Sequence, residues 1–127
     1  MAKIHHLDRV RDWMSRDTAS VGANDSLESV AELLRRRDIR SVPVLEDDRL
    51  IGIVTDRDVR QVAPGYPLLR DEQEIHRYMK HLTVTAAMTA DPMTIAPEAR
   101  LTDAAKVLET YRISSLPVVE GTKLVGV

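Results

Sequence analysis

The feature that most restricts the fold of this 127-residue chain is an internal repeat. Shifting the sequence by 74 residues places Leu27 on Leu101, Pro43 on Pro117 and Gly52 on Gly126. The match needs no gap over about forty residues, and a match of that length indicates a duplication. The chain is therefore expected to contain two copies of one small unit.

Two short apolar runs form the most distinctive part of each copy. In the first copy they are residues 39–45 and 50–54, separated by Asp47 and Asp48. Apolar runs of this length on either side of turn-forming residues predict a strand pair. Gly52 lies inside the second run, where a glycine leaves room for a close approach to the backbone or marks a bulge.

Helices are predicted on both sides of this strand pair. Apolar residues recur on one helical face between Leu27 and Leu34, so a helix is expected to begin at Asp25, whose carboxylate would cap it. Residues 55–62 predict a short closing helix. Three arginines, at positions 35–37, end the first helix. They are interpreted as a solvated last turn, with a phosphate-binding or partner-binding patch as the alternative.

These elements predict an α/β fold, in the sense of α+β, made of tandem β-α-β-β-α units. Because neither unit could bury both faces of so small a sheet alone, the two are expected to pack about a pseudo-twofold axis. The predicted domains are residues 1–62, a helical connector at 63–83, and residues 84–127. The second copy stops before its last helix, so either the chain is shortened or the natural protein continues.

Composition excludes several classes of function. The chain has no cysteine, which removes disulfides, thiolate metal sites and thiol nucleophiles, and no metal-ligand spacing or catalytic constellation is recognisable. Its net charge of −2 argues against nucleic-acid binding, and no apolar run is long enough for a membrane span. A cytoplasmic protein that is not an enzyme, with no catalytic and no metal residues, is expected.

A polar corner follows the second apolar run. Thr55 could donate to a phosphate oxygen, Asp58 could accept from two vicinal hydroxyls as in dinucleotide-binding folds, and Arg57 could meet phosphate charge. The strand at Val42-Pro43 would be an apolar wall for a base. The alternative is that Thr-x-x-Asp is only a helix cap, which needs no ligand.

The ordered motifs resemble the cystathionine-β-synthase (CBS) domain, and their duplication resembles a CBS pair, or Bateman module. The resemblance covers nearly the whole chain and rests on segments at the start, middle and end of the repeats. These segments are Met14-Ser15, Met88-Thr89, Ile39 to Val44, Ile113 to Val118, and Leu50 to Asp58. Within the family, the connector looks like that of bacterial acetoin-utilisation regulatory proteins of the AcuB type.

The resemblance implies a regulatory module that senses AMP, ADP, ATP or S-adenosylmethionine in the cleft between repeats, with no covalent cofactor. It assigns Thr55 to the phosphate and Asp58 to the ribose. The base would meet main chain and apolar side chains in the first copy, at Ser20, Val21, Arg40, Val42 and Pro43. A homodimer is implied as well, acting on a separate effector protein or on a missing C-terminal domain through a conformational or dimer change. The alternative function is a ligand-free scaffold for dimerisation or partner docking.

Overall fold

A computed structural model of the chain describes residues 8–16, 18–62 and 80–127. It shows a mixed α+β fold in which helices and short strands alternate. In chain order the elements are α1 (Val10–Trp13), β1 (Val21–Gly22), α2 (Leu27–Arg37), β2 (Ser41–Glu46), β3 (Arg49–Thr55), α3 (Asp56–Val62), a 3₁₀ turn (Val84–Ala86), β4 (Thr89–Ala90), α4 (Leu101–Tyr111), β5 (Val118–Glu120) and β6 (Lys123–Gly126). The helix expected within the connector at 63–83 lies largely outside the described residues.

The chain forms two compact units that do not coincide with the two halves of the sequence. Unit 1 comprises Met1–Thr18, Asp48–Leu50 and Pro92–Val127, and unit 2 comprises Ala19–Asp47 and Ile51–Asp91. Each copy of the repeat therefore packs with the segment that leads into the other copy. The boundaries drawn at 62 and 83 describe the sequence repeat and remain a prediction.

The duplication is visible in the backbone. Helices α2 and α4 each have 11 residues, and both end at a residue in the left-handed conformation, Asp38 and Arg112, each with φ of 53°. A left-handed residue at this position closes a helix by turning its N–H back to the last carbonyls. The two copies thus end their main helix in the same way, as the 74-residue shift predicts.

The predicted strand pair is confirmed, and its turn has a specific conformation. Asp47 and Asp48 have φ of 51° and 64° and are the two residues between β2 and β3. Positive φ at both positions of a two-residue loop matches the twist of the adjoining strands, and aspartate tolerates it better than most residues. The Asp-Asp pair therefore sets the register of the β2–β3 hairpin.

The start of α2 differs from the prediction. The helix begins at Leu27, and its N-cap is Ser26, whose side chain accepts a hydrogen bond from the Ser29 N–H. The Asp25 carboxylate instead accepts from the Gly22 N–H at 2.8 Å. Asp25 thus stabilises the turn before the helix, and the adjacent serine caps the helix itself.

Unit 2 encloses an aliphatic core between α2, α3 and its strands. The side chains of Val30, Val42 and Val54 are fully buried there, and Val59 of α3 is 5% exposed. In its sheet, β1 is parallel to β2 through Val21↔Val44, and β4 is antiparallel to β3. Both helices contribute to this core and contact each other, and this packing gives β3 and α3 a fixed position.

Glycine allows the leading segment to approach the strand in each unit. A Cβ atom built on Gly52 would lie 2.6 Å from the Met88 Sδ atom and 3.0 Å from the Thr89 carbonyl oxygen. In unit 1, a Cβ on Gly126 would lie 2.7 Å from the Met14 Sδ atom and 2.9 Å from the Ser15 carbonyl oxygen. The strand glycine thus accommodates a methionine and a backbone oxygen, the close approach that the sequence allowed for.

We expect Gly52→Ala to lower the free energy of unfolding by about 1–3 kcal/mol, because the methyl group would displace both Met88 and the backbone of Thr89. Urea denaturation followed by circular dichroism measures this loss. Gly22→Ala is the matched control: its Cβ would have no neighbour closer than 3.6 Å, so stability should be unchanged or raised by up to about 1 kcal/mol. Equal losses in both variants would contradict the close-approach argument.

Candidate nucleotide site

The polar corner is closed by two reciprocal hydrogen bonds. The Thr55 N–H donates to Oδ2 of Asp58 at 2.9 Å, and the Asp58 N–H donates to Oγ1 of Thr55 at 3.1 Å. This is the capping-box arrangement, with Thr55 as the cap and Asp58 three residues later. Both residues are half-buried. The helix cap that the sequence allowed as an alternative is therefore present.

The cap leaves part of each side chain available. The Thr55 hydroxyl accepts one hydrogen bond and keeps its own O–H to donate. The Asp58 carboxylate uses Oδ2, and Oδ1 has no hydrogen-bond partner within residues 8–16, 18–62 and 80–127. One donor and one anionic acceptor thus remain at the corner, which are the groups needed for a phosphate oxygen and a sugar hydroxyl.

A backbone hydrogen bond connects this corner to the start of β2. The Asp56 N–H donates to the Arg40 carbonyl oxygen at 3.0 Å. Because the β2–β3 connection is a hairpin, the start of β2 and the end of β3 lie at the same end of the sheet, whereas β1 pairs farther along β2, with Val21 opposite Val44. The corner and Arg40 are therefore neighbours in unit 2.

The eight predicted site residues all belong to unit 2, but they differ in exposure. Thr55 and Asp58 are half-buried, and Ser20, Arg40 and Arg57 are exposed. The other three are buried: Val21, Val42 and Pro43. The Val42 side chain is fully enclosed in the core, so only its main chain can serve as part of a wall for a base.

Asp56 is a structural participant that the sequence reasoning did not identify. Its N–H donates a hydrogen bond to the Arg40 carbonyl oxygen, and its carboxylate lies 4.0 Å from the Arg60 guanidinium. The residue type gave no indication of this, because the contact to Arg40 uses only the backbone. Its position directly after Thr55, at the first turn of a predicted helix, was the available signal.

Comparison with known proteins identifies the family. The family model of the CBS domain matches residues 10–65 and 84–127. The chain belongs to the CBS-domain family. It is thus a tandem CBS pair, as the motifs in both copies predicted.

Several known proteins share this fold and sequence pattern. The acetoin utilization protein AcuB from Vibrio cholerae has 28% sequence identity and a TM-score of 0.77, with 93% of this chain and 81% of that chain covered. CBSX2 from Arabidopsis thaliana, in a structure with AMP, has 27% identity and a TM-score of 0.78, covering 94% and 87%. The structural similarity to these two proteins therefore extends over almost all of this chain.

The curated relatives differ in the share of their own length that this chain covers. The chain is 35% identical over 127 residues to an inosine-5'-monophosphate dehydrogenase from Korarchaeum cryptofilum, but it spans only 23% of that enzyme. It is 29% identical to the CBS domain-containing protein YhcV from Bacillus subtilis, with 95% of this chain and 79% of that protein covered. A CBS pair thus occurs both within a large enzyme and as most of a small protein.

Two further properties were assessed in the described part of the chain. No helix there has the length and apolar character of a membrane span. No group of three or more His, Asp or Glu side chains among the same residues is arranged to hold a metal ion.

The reciprocal cap leads to a stability prediction in the absence of ligand. Thr55→Ala should lower the free energy of unfolding by about 1 kcal/mol, because it removes the acceptor of the Asp58 N–H. Thr55→Ser keeps an acceptor at the same place and should cost less than about 0.5 kcal/mol. Urea denaturation of the ligand-free protein compares the two variants. If Thr55→Ala were as stable as Thr55→Ser, the cap would not contribute to the fold.

Proposed function

We propose that this CBS pair is a regulatory module that binds an adenosine-containing nucleotide at the Thr55–Asp58 corner. The candidate ligands are AMP, ADP, ATP and S-adenosylmethionine. Thr55 donates to a phosphate, Asp58 accepts from the ribose hydroxyls, and Arg57 interacts with phosphate charge. Main-chain groups near Val21, Val42 and Pro43 contact the base, together with Ser20 and Arg40.

The observation that carries this proposal is the pair of groups that the cap leaves available. The Thr55 hydroxyl keeps its donor and Asp58 keeps Oδ1, while the cap fixes both side chains in place. A site whose side chains are already ordered loses less conformational entropy on binding. The corner therefore combines a stabilising role in the fold with the donor and acceptor that a ribose phosphate requires.

The comparison with CBSX2 supports the choice of ligand class. That protein is 27% identical to this chain, and its structure contains AMP. The carboxylate at position 58 also favours a nucleoside, since vicinal hydroxyls can both donate to one carboxylate. AMP is thus the first ligand to test, with ATP and S-adenosylmethionine next.

A second function, a ligand-free scaffold, is favoured by one specific observation. The Thr55 and Asp58 side chains already satisfy each other's backbone N–H groups. In that case the corner serves only the fold, and the module acts by docking a partner. The two functions differ in whether Asp58 contributes to binding as well as to stability.

The proposed mode of action is a population shift. A bound nucleotide favours one conformation of the module, or one dimer geometry, to the extent that its affinity for the two states differs. The role is regulatory rather than catalytic, in line with the family model that covers most of the chain. A relation to AcuB-type proteins, action in the cytoplasm, and an effector that is a separate protein or a further domain belong to this proposal.

Isothermal titration calorimetry with AMP tests the proposal. Asp58→Asn should weaken AMP binding by about tenfold or more, because an amide offers one oxygen acceptor in place of two carboxylate oxygens. The same variant keeps an acceptor for the Thr55 N–H and should remain folded. The proposal predicts measurable heat for at least one of AMP, ATP and S-adenosylmethionine.

Asp56→Asn is the matched control for this experiment. This variant also removes one negative charge from the first turn of α3, two residues before Asp58. It leaves the Thr55–Asp58 hydrogen bonds intact. AMP affinity should change by less than about threefold, as expected for a half-exposed charge. No heat from any of the three ligands, or equal weakening by Asp58→Asn and Asp56→Asn, would favour the scaffold.

The dimer in this proposal can be measured separately. Native mass spectrometry should give a species of twice the 14.3 kDa mass of one chain, and it would report co-purified nucleotide in the same spectrum. A monomer at all concentrations up to about 100 µM would refute the dimer, since stable homodimers dissociate well below that range. The nucleotide proposal would be unaffected by that result.

A further inference from the structure

A cavity of about 360 Å³ lies in unit 2 between the end of α2 and the start of α3. Its floor is aliphatic and consists of Ala31, Leu34, Ile39 and Val59. Leu34 and Val59 are each 5% exposed, and Ala31 and Ile39 are half-buried. A concave apolar surface of this size is in the range of sites for small organic ligands.

Arginine side chains surround this floor. Arg35, Arg40 and Arg60 line the cavity, together with the carboxylates of Asp38 and Asp56. Asp56 is paired with Arg60 at 4.0 Å. Within the described part of the chain, neither Arg35 nor Arg40 has an ion-pair partner. The cavity therefore offers two guanidinium groups whose charge is not used by a neighbouring carboxylate.

The second copy of the repeat shows that these arginines are not needed for the fold. The 74-residue shift keeps the apolar floor, since Ala31, Leu34 and Ile39 correspond to Ala105, Leu108 and Ile113. It does not keep the charges: the counterparts of Arg35 and Arg40 are Glu109 and Ser114. Helix α4 nevertheless forms with the same length and the same C-cap as α2.

The cavity and the nucleotide corner use different faces of α3. Asp56, Val59 and Arg60 line the cavity, and they fall on one side of the helix at about 100° per residue. Asp58 falls on the opposite side, where it bonds to Thr55. A ligand in the cavity would therefore not use the carboxylate that the proposed nucleotide site requires.

We propose that this cavity is a second binding site, for a small doubly charged organic anion with an apolar body. The anionic group is held by the guanidinium groups of Arg35 and Arg40, which bind phosphate or paired carboxylates through parallel hydrogen bonds. The apolar body lies on the floor formed by Leu34, Ile39 and Val59. The site shares Arg40 with the proposed nucleotide site but uses neither Thr55 nor Asp58, so it does not require that the corner bind AMP.

Phenyl phosphate is the probe, because it joins an apolar ring to a doubly charged group. In two-dimensional amide NMR spectra of the full chain, it should shift the signals of Leu34, Ile39 and Val59. Inorganic phosphate and benzyl alcohol supply the two halves separately, and each should bind at least about tenfold more weakly. Raising NaCl from about 50 to about 500 mM should weaken phenyl phosphate binding.

The key variant is Arg35→Glu, which introduces the residue found at the equivalent position of α4. It should weaken phenyl phosphate binding by about tenfold or more through repulsion of the anion. Arg36→Glu is the matched control, because it makes the same charge change at a neighbouring residue that does not line the cavity. It should change the affinity by less than about twofold to threefold. If Arg35→Glu does not fold, Arg35→Gln tests the same contact.

Three outcomes would overturn the proposal. The first is an absence of shifts at Leu34, Ile39 and Val59. The second is equal weakening by Arg35→Glu and Arg36→Glu, which would indicate only a general charge effect. The third is loss of phenyl phosphate binding in Asp58→Asn, or its displacement by AMP with the same shifts, which would place the anion at the nucleotide corner. Failure of AMP to bind at all would leave this proposal intact.

Discussion

The close approach of a methionine-bearing segment to a strand glycine is the contact on which each unit depends. Met88 and Thr89 occupy the space over Gly52, and Met14 and Ser15 occupy the space over Gly126. In each case the segment leads into one copy of the repeat and packs with the other. A glycine weakens a strand by itself, but here it makes room for a chain segment from elsewhere in the sequence. It also explains why the compact units and the sequence repeats have different boundaries.

The Thr55–Asp58 corner shows that a helix cap and a ligand site need not exclude each other. A hydroxyl can accept from a backbone N–H and still donate, and a carboxylate has two oxygens. The cap orients both side chains and occupies only half of their hydrogen-bonding capacity. Since capping geometry alone suits both the nucleotide sensor and the scaffold, binding measurements on Asp58 variants separate them more directly than stability measurements do.

In a duplicated chain, comparing equivalent positions of the two copies shows which residues the fold requires. Positions that stay apolar in both copies, such as Leu34 and Leu108, are explained by the core. The fold does not require arginine at position 35, because its counterpart is Glu109 and a helix of the same length forms in both copies. The fold therefore does not require the arginines at the unit 2 cavity, and the proposed anion site would give them a role.

The sequence by itself determined the duplication, the β2–β3 hairpin at Asp47-Asp48, the presence of the main helix in each copy and the CBS family, because each depends on local pattern or on repetition at a fixed distance. It also indicated that Thr55 and Asp58 act together, since a spacing of three residues after a strand favours a helix cap. It placed the first helix cap at Asp25, whereas Ser26 fulfils that role, because two adjacent polar residues are equivalent in a one-dimensional pattern.

Only the tertiary structure decided which segment packs over each glycine, that the Val42 side chain is enclosed in the core, and that Arg35 and Arg40 border one cavity. The first two depend on contacts between residues distant in sequence, and the third depends on the packing of α2 beside α3. Burial and proximity of that kind follow from how the elements pack, and periodicity along the chain carries no information about it.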